Sequence, residues 1–223
     1  MDVMHDYLGT KYTELQGVYP VSEDSMMLLK TVERFLGSGP GRLLDMGCGV
    51  GLITLKSVSA GWDVVAVDRE PKALEGLRRN LSLNGVNARL VLSHLFSGVP
   101  RAYLGHFDLI TFNPPYLGGL RGPISRRDDL PLYGGTGGYE LAVEFLEKAG
   151  DFISDNGSIL LLGYGSWPVK KWVRRSHNPL KVNKLMDIDL DGEMMAIYHL
   201  RRNEGWIGES LYSSEDNSTE GEI

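Results

Sequence analysis

Short apolar runs bounded by turn residues alternate along this chain with stretches whose apolar residues recur every three to four positions. That alternation predicts an α/β fold, a parallel sheet with helices on both faces. Strands are expected at residues 42–45, 63–68, 89–92, 107–112 and 158–162, with helices between them. Residues 22–36 read as a helix preceding the sheet. Glu23 and Asp24 form an acidic first turn, and Met26, Met27, Leu29, Val32 and Leu36 fall at helical spacing. This helix is expected to cover the sheet edge beside the cofactor. Residues 181–190 and 193–200 are two strand-like runs joined at Asp191-Gly192, a pair that tolerates the positive φ of a tight hairpin. The predicted whole is a mostly parallel seven-stranded sheet ending in an antiparallel C-terminal hairpin.

The 223 residues, 42% of them hydrophobic, suffice for one α/β core and are short for two enzyme domains. A single domain over residues 1–202 is expected, followed by an acidic, disordered tail at 203–223 too polar to bury a core. No apolar stretch is long enough to cross a bilayer, and residues 1–16 lack the basic start and apolar run of an export signal. A soluble cytoplasmic protein is expected. The single cysteine, Cys48, excludes an intrachain disulfide and a Cys-built zinc site, so no metal is expected.

The net charge of −6 argues against a nucleic-acid partner until it is located. Glu204, Glu209, Glu215, Asp216, Glu220 and Glu222 lie in a tail with no Lys or Arg, so the remaining body balances at zero. Arg121, Arg126 and Arg127 form one basic group, and Lys170, Lys171, Arg174, Arg175, Lys181 and Lys184 another. Either is a solvated face or a dock for an acidic or RNA-bound macromolecule.

The segment Leu43-Leu44-Asp45-Met46-Gly47-Cys48-Gly49-Val50-Gly51 is an apolar strand running into three alternate glycines ahead of a helical pattern. Such a bend brings backbone close to a ligand, where a Cβ would fill the space. Gly47, Gly49 and Gly51 miss the dinucleotide spacing by one residue, and Asp45 would repel phosphate. The same acid suits the sulfonium and ammonium of S-adenosylmethionine. Asp68 ends the next strand about 20 residues on, where a carboxylate can accept from both ribose hydroxyls or cap the following helix. His94, at the end of the third strand, faces the adenine or is a surface imidazole. Cys48 has no neighbouring base and reads as a small loop residue.

After residues 107–112 the chain reads Asn113-Pro114-Pro115-Tyr116. The prolines fix φ and remove donors, leaving rigid acceptors at Asn113 and Pro114. Alone such a segment is also a common turn. Behind a donor-binding fold it can clamp a planar NH2 group: Asn113 Oδ1 and the Pro114 carbonyl each take one N–H, and Tyr116 stacks on the acceptor. Residues 117–138, rich in Gly, Pro and Arg, are expected to close over the acceptor, with Gly134 to Gly138 as hinge.

These segments resemble those of HemK-related protein (glutamine-N5) methyltransferases, in the short archaeal and eukaryotic form that modifies the class I release factor. The likeness runs from about Val18 to Leu200. It rests on Val18-Tyr19-Pro20-Val21-Ser22-Glu23-Asp24-Ser25, the Asp45 to Gly51 loop, Asn113 to Tyr116 and the Gly134 to Gly138 run. It implies a class I S-adenosylmethionine-dependent methyltransferase (Rossmann-like) fold. Tyr19, Glu23, Asp24 and Ser25 would lie near the cofactor, Asp68 would bind ribose, and Asn113 to Tyr116 would hold the glutamine amide of a Gly-Gly-Gln motif. It also implies a heterodimer with a small zinc-binding activator protein. The chain departs from the pattern at His94, where the family has Asp, and at Tyr19-Pro20, where it has Tyr-x-Pro. Two rival functions are a DNA or RNA adenine- or guanine-N methyltransferase, whose exocyclic NH2 offers the same donors, and a cofactor-binding scaffold without catalysis.

Overall fold

The computed structural model describes residues 3–118, 134–174, 180–190 and 192–202. The acidic tail, the Arg121, Arg126 and Arg127 group, Arg175 and Asp191 lie outside the described residues. The chain opens with an antiparallel hairpin, β1 (Met4–Tyr7) and β2 (Thr10–Thr13), which sequence reading did not anticipate. Leu8 and Gly9 both have positive φ, 48° and 79°, as a two-residue hairpin turn requires. The hairpin is pinned by distant asparagines: Asn80 Oδ1 accepts from Thr13 N at 2.9 Å, and Asn84 Oδ1 from Lys11 N at 3.0 Å.

Seven further strands build the main sheet: β3 (Arg42–Met46), β4 (Asp63–Asp68), β5 (Arg89–Leu92), β6 (Phe107–Phe112), β7 (Ile153–Tyr164), β8 (Lys181–Leu190) and β9 (Glu193–Arg201). Their order is β5–β4–β3–β6–β7–β9–β8. The first five are parallel, and β9 and β8 run antiparallel to their neighbours, as the apolar runs and the Asp-Gly turn predict. β7 begins five residues earlier than its apolar run, because Ile153 pairs with Phe107 before the register shifts at Leu109.

Among the described residues five α-helices, α1 (Glu23–Leu36), α2 (Leu52–Ser59), α3 (Pro71–Leu83), α4 (Glu140–Phe152) and α5 (Val169–Val173), cover the two faces. Contrary to expectation, α1 lies across the middle of one face and not at an edge. Its Met27, Leu28 and Val32 pack on Leu43, Leu109, Leu160 and Ile197, from four different strands. Leu28 and Val32 expose nothing, and each such side chain contributes roughly 1.5–3 kcal/mol. On the opposite face α4 and α5 bury Phe145, Leu146 and Val173 against Ile110, Phe112, Leu161 and Tyr198. No described helix is long and apolar enough to cross a membrane.

The chain leaves β3 for β4 on one side and returns to β6 on the other. In an open α/β sheet such a reversal leaves a crevice beyond the carboxyl ends of the strands. The candidate site lies there.

Candidate active site

β3 runs into the loop with Gly47, Gly49 and Gly51 at φ 65°, 51° and 87°. Cys48 N donates to Val67 O at 3.0 Å and Gly49 N to Asp68 Oδ2 at 3.0 Å, so the loop is tied to the end of β4. What the glycines make room for is partly protein. A Cβ on Gly51 would overlap Leu77 of α3, and one on Gly47 would come within 3.2 Å of Phe112. Asn80 Nδ2 donates to Val50 O at 3.1 Å and to Thr13 O at 3.0 Å, joining the loop to the N-terminal hairpin.

The crevice is open to solvent. Tyr19, Asp24, Ser25, Asp45, Gly47, Gly49, Gly51, Asp68, His94 and the Asn113 to Tyr116 segment all line it. Glu23 does not. It sits exposed on the first turn of α1, because successive helical residues are 100° apart and Asp24 takes the inward direction.

Asp45 is 3% exposed, accepting from Thr54 Oγ1 at 2.6 Å and Thr111 Oγ1 at 3.1 Å. Burial pushes its carboxyl up to about 6, against the pull of the two hydroxyls. Asp68 accepts from Gly49 N and, at 2.9 Å, from Glu70 N. It therefore braces both the glycine loop and the entry to α3, and a carboxylate still has lone pairs for further donors. Burial raises its carboxyl as well. His94 turns its Nε2 to Glu144 Oε1 at 3.0 Å while its residue lines the crevice. The Cys48 thiol is driven well upward by burial, which leaves it protonated and unsuited to nucleophilic attack.

At the tip of β6, Asn113 Nδ2 donates to Asp24 Oδ2 at 3.1 Å and Tyr116 OH donates to the same oxygen at 2.8 Å. Burial, and then Asp24, push the Tyr116 phenol far above its ordinary value, so it stays a donor. Asn113 Oδ1 is buried and has no hydrogen-bond partner. An unsatisfied buried acceptor costs about 1–3 kcal/mol, which an arriving N–H donor relieves.

The Gly134 to Gly138 run is a packed seat for this segment. Gly134 N donates to Leu117 O at 3.1 Å, and Cβ atoms on Gly134 and Gly138 would overlap the carbonyls of Pro115 and Tyr116. Residues 119–133, most of the loop expected to close over the acceptor, lie outside the described residues. Sequence reading also missed Thr54 and Thr111, which hold Asp45. Thr111 was visible as a polar residue in an apolar strand, whereas Thr54 gave no signal. Ser93 was passed over too. Its Oγ donates to Leu95 O at 2.8 Å and accepts from Gly98 N at 2.7 Å, holding Leu95 at φ 46° against the crevice.

Among the described lining residues Asp24, Asp45, Asp68 and Glu70 face a single guanidinium, Arg69. That balance opposes phosphate and favours a cation, and the close backbone of the glycine loop suits a flat ligand edge. The donor set thus fits S-adenosylmethionine.

The family described as Methyltransferase small domain matches residues 13–125. A Methanocaldococcus jannaschii protein named as a protein N5-glutamine methyltransferase is 32% identical over 152 residues, 65% of this chain and 71% of that protein. The release factor glutamine methyltransferase of Deinococcus radiodurans is 31% identical over 161 residues, 69% of this chain and 56% of its own length. Two solved structures share the fold. The E. cuniculi Mtq2-Trm112 complex, responsible for methylation of the eRF1 translation termination factor, superposes with TM-score 0.63 at 24% identity, over 83% of this chain and 99% of the matched one. The T. thermophilus 16S rRNA N2 G1207 methyltransferase RsmC, solved with AdoMet and guanosine, gives 0.69 at 20% identity, over 91% and 50%. The chain belongs to the methyltransferase small domain family, whose α/β fold serves S-adenosylmethionine-dependent methyl transfer.

Proposed function

We propose that residues 1–202 form a cytoplasmic protein (glutamine-N5) methyltransferase acting on the glutamine of the Gly-Gly-Gln motif in a class I peptide chain release factor. The observation that carries this reading is the Asn113 amide, whose Nδ2 is spent on Asp24 while Oδ1 is buried and unpaired beside an acid-lined crevice. The names and substrates of the relatives support it.

S-adenosylmethionine, when bound, supplies an electrophilic methyl carbon. Asp45 places negative charge under the crevice, Asp68 offers its remaining lone pairs to a diol, and Gly47, Gly49 and Gly51 let the backbone close on the ligand. Tyr19, Ser25 and His94 complete the walls. On the acceptor side Asn113 Oδ1 and the Pro114 carbonyl take the two N–H bonds of the amide. Pulling on both protons raises electron density at nitrogen and turns its lone pair away from the clamp. Positioning then meets most of the barrier, so no strong base is needed before transfer, and the proton departs afterwards. Pro115 stiffens the segment and Tyr116 presents its ring to the planar acceptor.

A small zinc-binding activator protein joining the chain in a heterodimer is part of the proposal, supported by the two-protein assembly of the structural relative. A nucleic-acid base amine is the second reading, favoured by the exposed Lys170, Lys171 and Arg174 and by the likeness to RsmC. Incubation with methyl-labelled S-adenosylmethionine and either release factor or structured RNA, with and without a candidate activator, separates them. Label is expected on the release factor, placed by fragmentation on the Gly-Gly-Gln glutamine; label in RNA alone contradicts the proposal.

A further inference from the structure

We propose that Asp24 is a positioning residue for the transfer step, fixing which way the Asn113 amide points. The inference rests on the reading of Asn113 Oδ1 as the acceptor clamp.

An ionised carboxylate accepts and cannot donate. Asp24 is 3% exposed, and Ser25 N reaches its Oδ1 at 2.6 Å, with the Ser22 hydroxyl on the same oxygen. Oδ2 takes Asn113 Nδ2 at 3.1 Å, Tyr116 OH at 2.8 Å and, more weakly, Tyr19 OH at 3.5 Å. A flipped Asn113 amide would set its own oxygen against this carboxylate and strand Nδ2. Only one orientation survives, and it leaves Oδ1 unpaired.

Tyr116, three residues on, is tied to the same atom. One acid, 89 residues away from Asn113 in sequence, thereby locks both ends of the Asn-Pro-Pro-Tyr segment. This differs from a place among the cofactor's own ligands, which is where the family resemblance puts Asp24.

The test is Asp24→Asn, which keeps the shape but can pair with Asn113 in either orientation. Its own NH2 can then occupy Asn113 Oδ1. The full chain, with activator if activity requires one, is expected to lose about 100-fold in kcat, the usual penalty for a misplaced reacting group. With donor saturating, the KM for the acceptor should change by no more than about threefold, a split that marks loss of a transition-state contact. The double variant Asp24→Asn with Asn113→Ala should be no slower than Asn113→Ala alone, because both changes remove one contact. A rise in the acceptor KM that accounts for the whole loss, or fully additive losses, overturns the inference. If Asn113→Ala itself leaves turnover intact, the clamp reading fails; if it abolishes turnover and Asp24→Asn does not, only the Asp24 inference fails. Should Asp24→Asn not fold, NMR of the unmodified protein decides. The Asn113 side-chain amide is expected to show one strongly downfield proton, slow to exchange, and ordinary shifts with fast exchange overturn the inference.

Discussion

Asn113→Ala is expected to lower turnover by at least about 10²- to 10³-fold, the loss typical of removing one fixed hydrogen-bonding group from a reacting centre. Affinity for S-adenosylmethionine should stay within about threefold, because the polar partners proposed for the donor, Asp45 and Asp68, lie on β3 and β4 and are held by contacts independent of Asn113. Folding should survive. The variant deletes an acceptor that is already unsatisfied, and Asp24 keeps its bonds to Tyr116 and Ser25. Single-turnover rates with saturating donor, alongside titration calorimetry, separate the two quantities. Equal losses in binding and turnover would place Asn113 among the donor's ligands and dissolve the proposed clamp.

The second large effect has opposite signs in stability and in binding. The Asp45 carboxyl is raised by burial from 3.8 to about 6. In the window between those values the folded chain holds a proton that the unfolded chain has released, so stability is highest on the acid side and falls as pH rises through about 6. Above that it is flat, lower by on the order of 3 kcal/mol than with a neutral group at this position. Asp45→Asn removes the buried charge and can still pair with Thr54 and Thr111, whose hydroxyls either donate or accept. Ligand-free thermal unfolding should therefore shift upward at pH 7–8 and hardly at all at pH 4. Donor affinity should weaken by about tenfold or more, since the cationic ligand loses a charge in a low-dielectric site. A variant that is both less stable at pH 8 and unchanged in affinity would refute this role for Asp45.

The sheet was legible because each inner strand is buried on both sides and so reads as an apolar run, as Val64 to Val67 and Leu109 to Phe112 do. The glycine loop and the Asn-Pro-Pro-Tyr segment were legible because backbone geometry there demands particular residue types. The hairpin of β1 and β2 was not. Its residues alternate apolar and charged weakly, and what pins it is the side chains of Asn80 in α3 and Asn84 at the C-cap of that helix. The path of α1 was misjudged for a related reason: helical spacing shows that one face is apolar, while the strands it meets depend on how the chain crosses over. Asp24 was recognisable only as an acid near the cofactor. Its bond to Asn113 joins positions far apart in the chain, and local pattern carries no trace of such a pair.

The central claim is that Asn113 Oδ1 receives an N–H of the substrate amide. A crystal structure of the protein with S-adenosylhomocysteine and a release-factor fragment containing the Gly-Gly-Gln motif tests it most directly. The glutamine nitrogen is expected within about 2.7–3.2 Å of Asn113 Oδ1, with Nδ2 still on Asp24. A glutamine bound elsewhere, or an Asn113 amide turned so that Nδ2 faces the substrate, would contradict the account.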